Sequence, residues 1–337
     1  MVPHLPARRK LLLSLAALAL AFAMPAAAQQ KLIVYTANES NLNHFIFDAF
    51  AKETGIQVEP VEAGSGVLFR RIASEREHPL GDIVWGVSRA LLRANKALLA
   101  PYASKNKDAT PAQFRDPDDA WIGTNIHLLV ILQNTKAIPG DAGPTSWADL
   151  LDPKWKGKVS FTDPANSGSA YSTLTMLDQL WGPGDKGWDK VSQLLANTKV
   201  LNRSSLVFQG VGNGEFPLGI SLEYAGYLWA KNGAPVRVIY PKDGTIPQME
   251  GVAVIKGGPN TEAAKKFVDY ITRKDVREKI LGFAFRRAAR QDLDLAHLPG
   301  GMPLLSTLKV LDYDEDAWVT KRAETMKKIQ EIVRKTR

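Results

Sequence analysis

The chain has 337 residues, 45% of them hydrophobic and 23% charged, with no cysteine and a formal net charge of +8. That is an ordinary globular composition, long enough for two hydrophobic cores, and the lack of cysteine excludes thiol catalysis and thiolate-ligated zinc. The surplus charge is modest and scattered, which argues for solvated helix faces and against a nucleic-acid-binding patch.

Residues 1–28 stand apart. Arg8, Arg9 and Lys10 precede the apolar stretch "LLLSLAALALAFAM", and Ala26 and Ala28 offer a small-residue cleavage site. This is the pattern of a secretory signal peptide, with cleavage expected after Ala28. A membrane anchor is the alternative, but the apolar run is short for a span. The Arg8–Arg9 pair fits a twin-arginine export signal poorly. Removing the leader takes the charge from +8 to +5, because it holds three basic residues and no acid. No later segment approaches a transmembrane length, so a soluble mature chain is expected.

The rest alternates strand and helix. "KLIVYT" reads as a buried strand. "NLNHFIFDAFAKETG" reads as an amphipathic helix stopped by Gly55, with Phe45, Phe47, Ala49 and Phe50 apolar. "IQVEPVEA" is a second strand and "GVLFRRIASERE" a second helix. "GDIVWGV", apolar throughout, is expected to be a central parallel strand, followed by a helix over "SRALLRANKALLA". "IGTNIHLLVILQN" is long for one strand and is expected to cross between domains.

A second unit follows. "SWADLLDPKWKG" reads as a capped helix, with Ser146 as N-cap and Asp149 at the third helical position. "KVSFT", "FPLGISLE" and "VRVIYP" are strands; "SAYSTLTMLDQLWG", "WDKVSQLLANT", "LVFQGVGNG" and "AGYLWAKNG" are helical. "MEGVAVIKG" is the expected return to the first domain, and amphipathic helices complete the chain. The fold class is α/β: two doubly wound lobes with a cleft between them. Lobe 1 is assigned to residues 29–131 plus 247–337, and lobe 2 to residues 132–246.

Doubly wound lobes bind ligands outside the carboxyl ends of their strands, so the strand-to-helix loops matter most. Four share one composition: "YTANESN", "EAGSGV", "TDPANSGSAY" and "LNRSSLVF". Each is rich in Ser, Thr, Asn or Gly and each opens a helix. Singly, such residues are ordinary caps. Together they offer unpaired backbone N–H groups, small side chains and hydroxyls, which is an anion site without a cluster of cations.

Enzyme signatures are missing. There is no G-x-S-x-G, no H-E-x-x-H and no P-loop lysine. His4, His44, His78, His127 and His297 have no metal-ligand spacing. "DYDEDAW" resembles a calcium loop only briefly, since Ala317 stands where Gly is needed and Ala323 where a bidentate Glu is needed. Tyr224 and Tyr227 in "LEYAGYLW" are either packing at helical spacing or hydroxyls facing the cleft beside Glu223.

The leader, "LIVYTANES", "GDIVWGVSRALL", "SWADLLDPKWKGKVSFTDPANSGSAY", "GNGEFPLGISLEYAGYLWAKNGAPVRVIYPKDGT" and "AAKKFVDYI" together resemble the periplasmic solute-binding proteins of ABC importers. The branch resembled contains ferric-ion, 2-aminoethylphosphonate and hexose-phosphate binders. The resemblance implies a periplasmic-binding-protein-like fold, a periplasmic location, an inner-membrane ABC permease as partner, and neither enzyme activity nor cofactor. A monomer is expected, because closure needs two free lobes.

Ferric binders of this family use adjacent tyrosines and a His after the first strand. Here Ala225 and Gly226 separate the tyrosines, and Asn38 and Glu39 occupy the first loop. An oxygen-rich iron site from Tyr224, Tyr227, Glu223 and Glu39 stays as the alternative. The phosphonate and sugar-phosphate branches fit better at "DPANSGSAY", "NRSSLVFQGVGNGE" and "PKDGT". By position, the resemblance assigns phosphoryl oxygens to Ser167, Gly168, Ser169 and Ala170, facing Ser65 and Gly66, with Thr36, Ala37 and Asn38 from the first loop. Arg203, Ser204 and Ser205 add donors. Glu223, Tyr224 and Tyr227 are assigned to the rest of the ligand, and Trp85 to packing against its carbon portion. Capture of a small anionic solute is thus the expected function. A secreted hydrolase and a chemoreceptor-coupled sensor are the other readings.

Overall fold

The computed structural model describes residues 31–294 and 298–336. The leader and His297 lie outside the described residues.

Strands β1 (Lys31–Thr36), β2 (Gln57–Glu62) and β3 (Ile83–Ser88) alternate with helices α1 (Ser40–Thr54), α2 (Ser65–Ser74) and α3 (Arg89–Ala94). Gly55 ends α1 in the left-handed region (φ 74°), donating its N–H to Ala51 O, a conformation that costs glycine little. Helix α3 is shorter than expected. It stops at Ala94, and Leu99–Ala100 form the short strand β4.

The 13-residue strand β5 (Ile122–Asn134) is the axis of the molecule. Its first part, to Leu128, pairs antiparallel with β10 (Pro247–Ile255). Its second part, from Leu129 to Gln133, pairs antiparallel with β8 (Leu218–Leu222). One strand thus serves two sheets. β3 is parallel to β1 on one side but antiparallel to β10 on the other, so the expectation of a wholly parallel strand is corrected.

In lobe 2, β6 (Val159–Thr162) lies between β7 (Thr198–Leu201) and β8, parallel to both. Short β7 was not foreseen. β9 (Val236–Ile239) pairs with the end of β5. Helices α4 (Gly168–Trp181), α5 (Asp185–Asn197), α6 (Ser204–Gly212) and α7 (Glu223–Lys231) complete the lobe. The helix expected over "SWADLLDPKWKG" is instead two 3₁₀ turns, Ala148–Leu151 and Pro153–Trp155. The reciprocal cap between Ser146 and Asp149 does form. Pro153 removes a backbone donor and keeps the turn from growing.

After β10 come α8 (Thr261–Ile271) and α9 (Lys274–Ala284) on lobe 1, and β11 (Arg287–Ala288), which pairs with β5. The tail departs from the expected division. Trp318 of α10 (Glu315–Thr320) packs against the lobe 2 core and α11 (Arg322–Thr336) sends Ile329 and Val333 into it, although residues 298–336 follow the return to lobe 1. Ile329 and Val333, four apart, share the buried face of α11. No helix among the described residues is long and apolar enough to cross a membrane.

Candidate functional site

Helices that follow parallel strands begin at the carboxyl edge of the sheet. Here that edge is the gap between the lobes. The N-caps of five helices line one cavity there: Glu39 (α1), Gly64 (α2), Ser167 (α4), Arg203 (α6) and Leu222 (α7). Only Ser167 caps with its own side chain, accepting from Ala170 N at 3.3 Å. The other four helices have no side-chain cap from their N-cap residue, although some first-turn N–H groups are already used, Gly66 N by Asn166 O and Leu42 N by Asn41 Oδ1. The cavity measures about 60 Å³, and Arg203 is the cation among its lining residues.

The lobes are closed on it. Gly66 N–H donates to Asn166 O across the gap at 3.2 Å. Arg70 donates to Ala165 O at 2.8 Å and to Asn166 Oδ1 at 3.0 Å. A methyl group on Gly64 would sit 2.3 Å from Asn166 O, and one on Gly168 would sit 2.1 Å from Ser88 Oγ. The approach therefore requires glycine at both places.

Of the residues singled out from the sequence, Ala37, Asn38, Ser65, Ser167, Gly168, Ser169, Arg203, Ser204, Ser205 and Tyr224 line this cavity, as does Glu39. Ser167 Oγ lies 2.9 Å from Ser169 Oγ and 3.2 Å from Ser204 Oγ, so two loops share one hydroxyl cluster.

Six others do not line it. Trp85, on β3, is fully buried and packed edge-on against Phe47 and Phe267, so it belongs to the core. Thr36 is buried and holds the first loop, accepting from Asn38 N and Nδ2. Gly66 faces the interlobe seam, and Ala170 sits behind the serine cluster. Glu223 is fully buried and bound to Arg287 Nε at 2.6 Å. Tyr227 stacks on Phe285 and bonds Tyr240.

Sequence reasoning missed the opposite wall. Glu250 and Gln248, both on β10, line the cavity. Glu250 accepts from His127 Nε2 (2.8 Å) and Arg286 (2.9 Å). Burial alone would raise its carboxyl, but the His127 and Arg286 charges hold it below the usual range. Arg286 also reaches Glu39 at 2.6 Å and lies 3.9 Å over the Tyr224 ring. The Tyr224 phenol donates to Glu39, and burial together with that carboxylate pushes it well above its usual value. The available signal was a charged residue inside an apolar strand, in "PQMEGVAVI" and in "IGTNIHLLVILQN".

The model of the family described as "Bacterial extracellular solute-binding protein" matches residues 81–315. The chain belongs to that family. Among relatives of this solute-binding protein, a "Putative 2-aminoethylphosphonate-binding periplasmic protein" of Salmonella typhimurium is 25% identical over 266 residues, 73% of this chain and 74% of the relative. "Iron uptake protein A1" of Synechocystis is 27% identical over 262 residues, 72% and 71% of the two chains. Among solved structures, the periplasmic binding protein AfuA from Actinobacillus pleuropneumoniae, with fructose-6-phosphate bound, superposes with a TM-score of 0.82 at 26% identity, covering 91% of this chain and 99% of that one. The two-lobe architecture is that of the periplasmic binding proteins.

Within this solute-binding protein the four candidate iron ligands are split. Tyr224 pairs with Glu39 at the cavity, while Tyr227 and Glu223 share the Tyr240 hydroxyl away from it. No group of three His, Cys, Asp or Glu side chains suited to a metal occurs among the described residues.

Proposed function

We propose that this protein captures a small organic anion, a phosphonate or phosphorylated compound, in the cleft and presents it to an inner-membrane ABC permease. The carrying observation is the convergence of five helix N-caps with the Ser167–Ser169–Ser204 hydroxyl cluster and Arg203 on one closed cavity. Backbone N–H groups, hydroxyls and one guanidinium are donors matched to phosphoryl oxygens. The phosphonate-binding and sugar-phosphate-bound relatives support the same class. The mechanism is capture: the ligand's greater affinity for the closed form drives closure.

Iron is the second reading, favoured by the iron-uptake relative. Against it stand the divided tyrosines and a Tyr224 phenol held protonated by Glu39 and burial. A thermal-shift panel of phosphonates, sugar phosphates and Fe³⁺ on the purified mature chain tests the choice. A phosphonate or phosphate ester at a hundred times its Kd is expected to add about 2.7 kcal/mol of stability. A coloured complex that bleaches with chelator, with no response to any phosphoryl compound, defeats the proposal.

A further inference from the structure

Arg277, on α9, is 1% exposed and lies against β5, where its Nη1 donates to Thr124 O at 3.0 Å and to Asn125 Oδ1 at 3.2 Å. Its Nε and Nη2 have no hydrogen-bond partner among the described residues, and neither has Asn125 Nδ2. Nε and Nη2 form one edge of the guanidinium, the fork that receives a carboxylate side-on. Three other arginines of this chain use that edge: Arg273 presents it to Asp275, Arg287 to Glu223 and Arg290 to Asp292. Arg277 has no such carboxylate. Burial, then the neighbouring charges of Arg286 and Arg290, pull its pKa down to about 9. Those two neighbours have acids of their own, Glu39 and Glu250 on Arg286 and Asp292 on Arg290.

A buried guanidinium without a counter-charge is costly, and unpaired donors on it add to the cost. The geometry points to a second anion site, inside lobe 1, in which the Nε–Nη2 fork of Arg277, with Asn125 Nδ2 beside it, holds a small monovalent anion of chloride size. At 1% exposure the fork admits an ion and not an organic solute. Water there would accept from the fork but would not offset the charge. The site is separate from the solute cleft, since neither Arg277 nor Asn125 lines that cavity, and it does not depend on which solute the cleft takes. An anion on Arg277 also relieves its repulsion with Arg286, the guanidinium that bonds Glu39 and Glu250 of the cavity wall.

Crystals of the mature chain grown with bromide in place of chloride test the position, and melting curves test the binding. An anomalous bromine peak is expected on the Nε–Nη2 edge of Arg277. Replacing gluconate by chloride at constant ionic strength is expected to raise the melting temperature by about 2 °C or more. Arg277→Met removes the fork, and Asn125→Asp supplies a carboxylate to the same guanidinium. Each is expected to abolish the chloride response. Asn125→Asp decides if the methionine variant does not fold, and the wild-type measurements decide if neither does. A map without that peak, wild-type melting curves that ignore chloride, or a full response retained in a folded variant overturns the proposal. A bromine peak with no chloride response marks an adventitious ion only, and overturns it too.

Discussion

The guanidinium of Arg286, on lobe 1, stacks 3.9 Å from the centre of the Tyr224 ring, on lobe 2. Glu39 joins them, accepting from Arg286 and from the Tyr224 hydroxyl. The contact joins residues of the two lobes, so it is expected to stabilise the closed form. Tyr224→Phe keeps the stacking and loses the hydroxyl bond. Its ligand affinity is expected to fall about tenfold, the worth of one hydrogen bond to a charged group. Small-angle scattering of the liganded variant is expected to show a larger radius of gyration. Unchanged affinity and radius would remove Tyr224 from the closure machinery.

Gly64→Ala separates folding from closure. Gly64 has φ −66°, which alanine adopts freely, and the clash with Asn166 O arises only across the gap. The melting temperature of the unliganded variant is expected to stay within about 2 °C of wild type, for a change below about 1 kcal/mol. Affinity is expected to fall by about a hundredfold. Wild-type affinity would mean that the two loops do not meet in the bound state.

Arg89 of α3 is paired with Glu315 of α10, and Arg93 with Asp316. The same segment is tied to lobe 2, where the Tyr171 hydroxyl donates to Trp318 O at 2.8 Å. Glu315→Gln is expected to lower ligand affinity several-fold and to reduce its dependence on salt, as a lost partly buried charge pair should. Calorimetry at low and high ionic strength measures both. An affinity and salt slope matching wild type would show that the tail does not bridge the lobes in solution.

Asp178 of α4 supplies a pH signature. Burial pushes its carboxyl up to about 6. The native state then holds a proton that the unfolded state releases near pH 4, so stability falls as pH rises through that window. Asp178→Asn is expected to be more stable than wild type at pH 7.5, by roughly 1–2 kcal/mol once water screening is allowed for, and to lose that advantage at pH 4. Urea titrations at the two pH values measure the difference. A pH-independent difference would place the cause in packing.

The order of elements was legible because apolar periodicity and Gly or Ser punctuation are local. So were the serine loops, whose composition serves a helix start wherever it lies. What a strand residue faces was not legible. Trp85 and Glu250 lie on neighbouring strands, β3 and β10, yet one is core and the other cavity wall. Alternation says that two faces exist and not which is wet. The pairing of Glu223 is illegible for a related reason: its partner Arg287 lies 64 positions away, beyond any local pattern. The C-terminal tail was assigned by chain continuity, but its apolar face packs on the other lobe.

Strand β10 sits at the middle of the lobe 1 sheet, between β3 and β5, yet it spans Pro247–Ile255. The lobe 2 strands are all drawn from the interval before it. A nascent chain can therefore complete the inserted lobe while the outer one still lacks its central strand. Assembly of lobe 1 waits on a long-range pairing, and such pairings are slow. The order of strands that places the binding cleft therefore also orders the completion of the two lobes, the inserted one first.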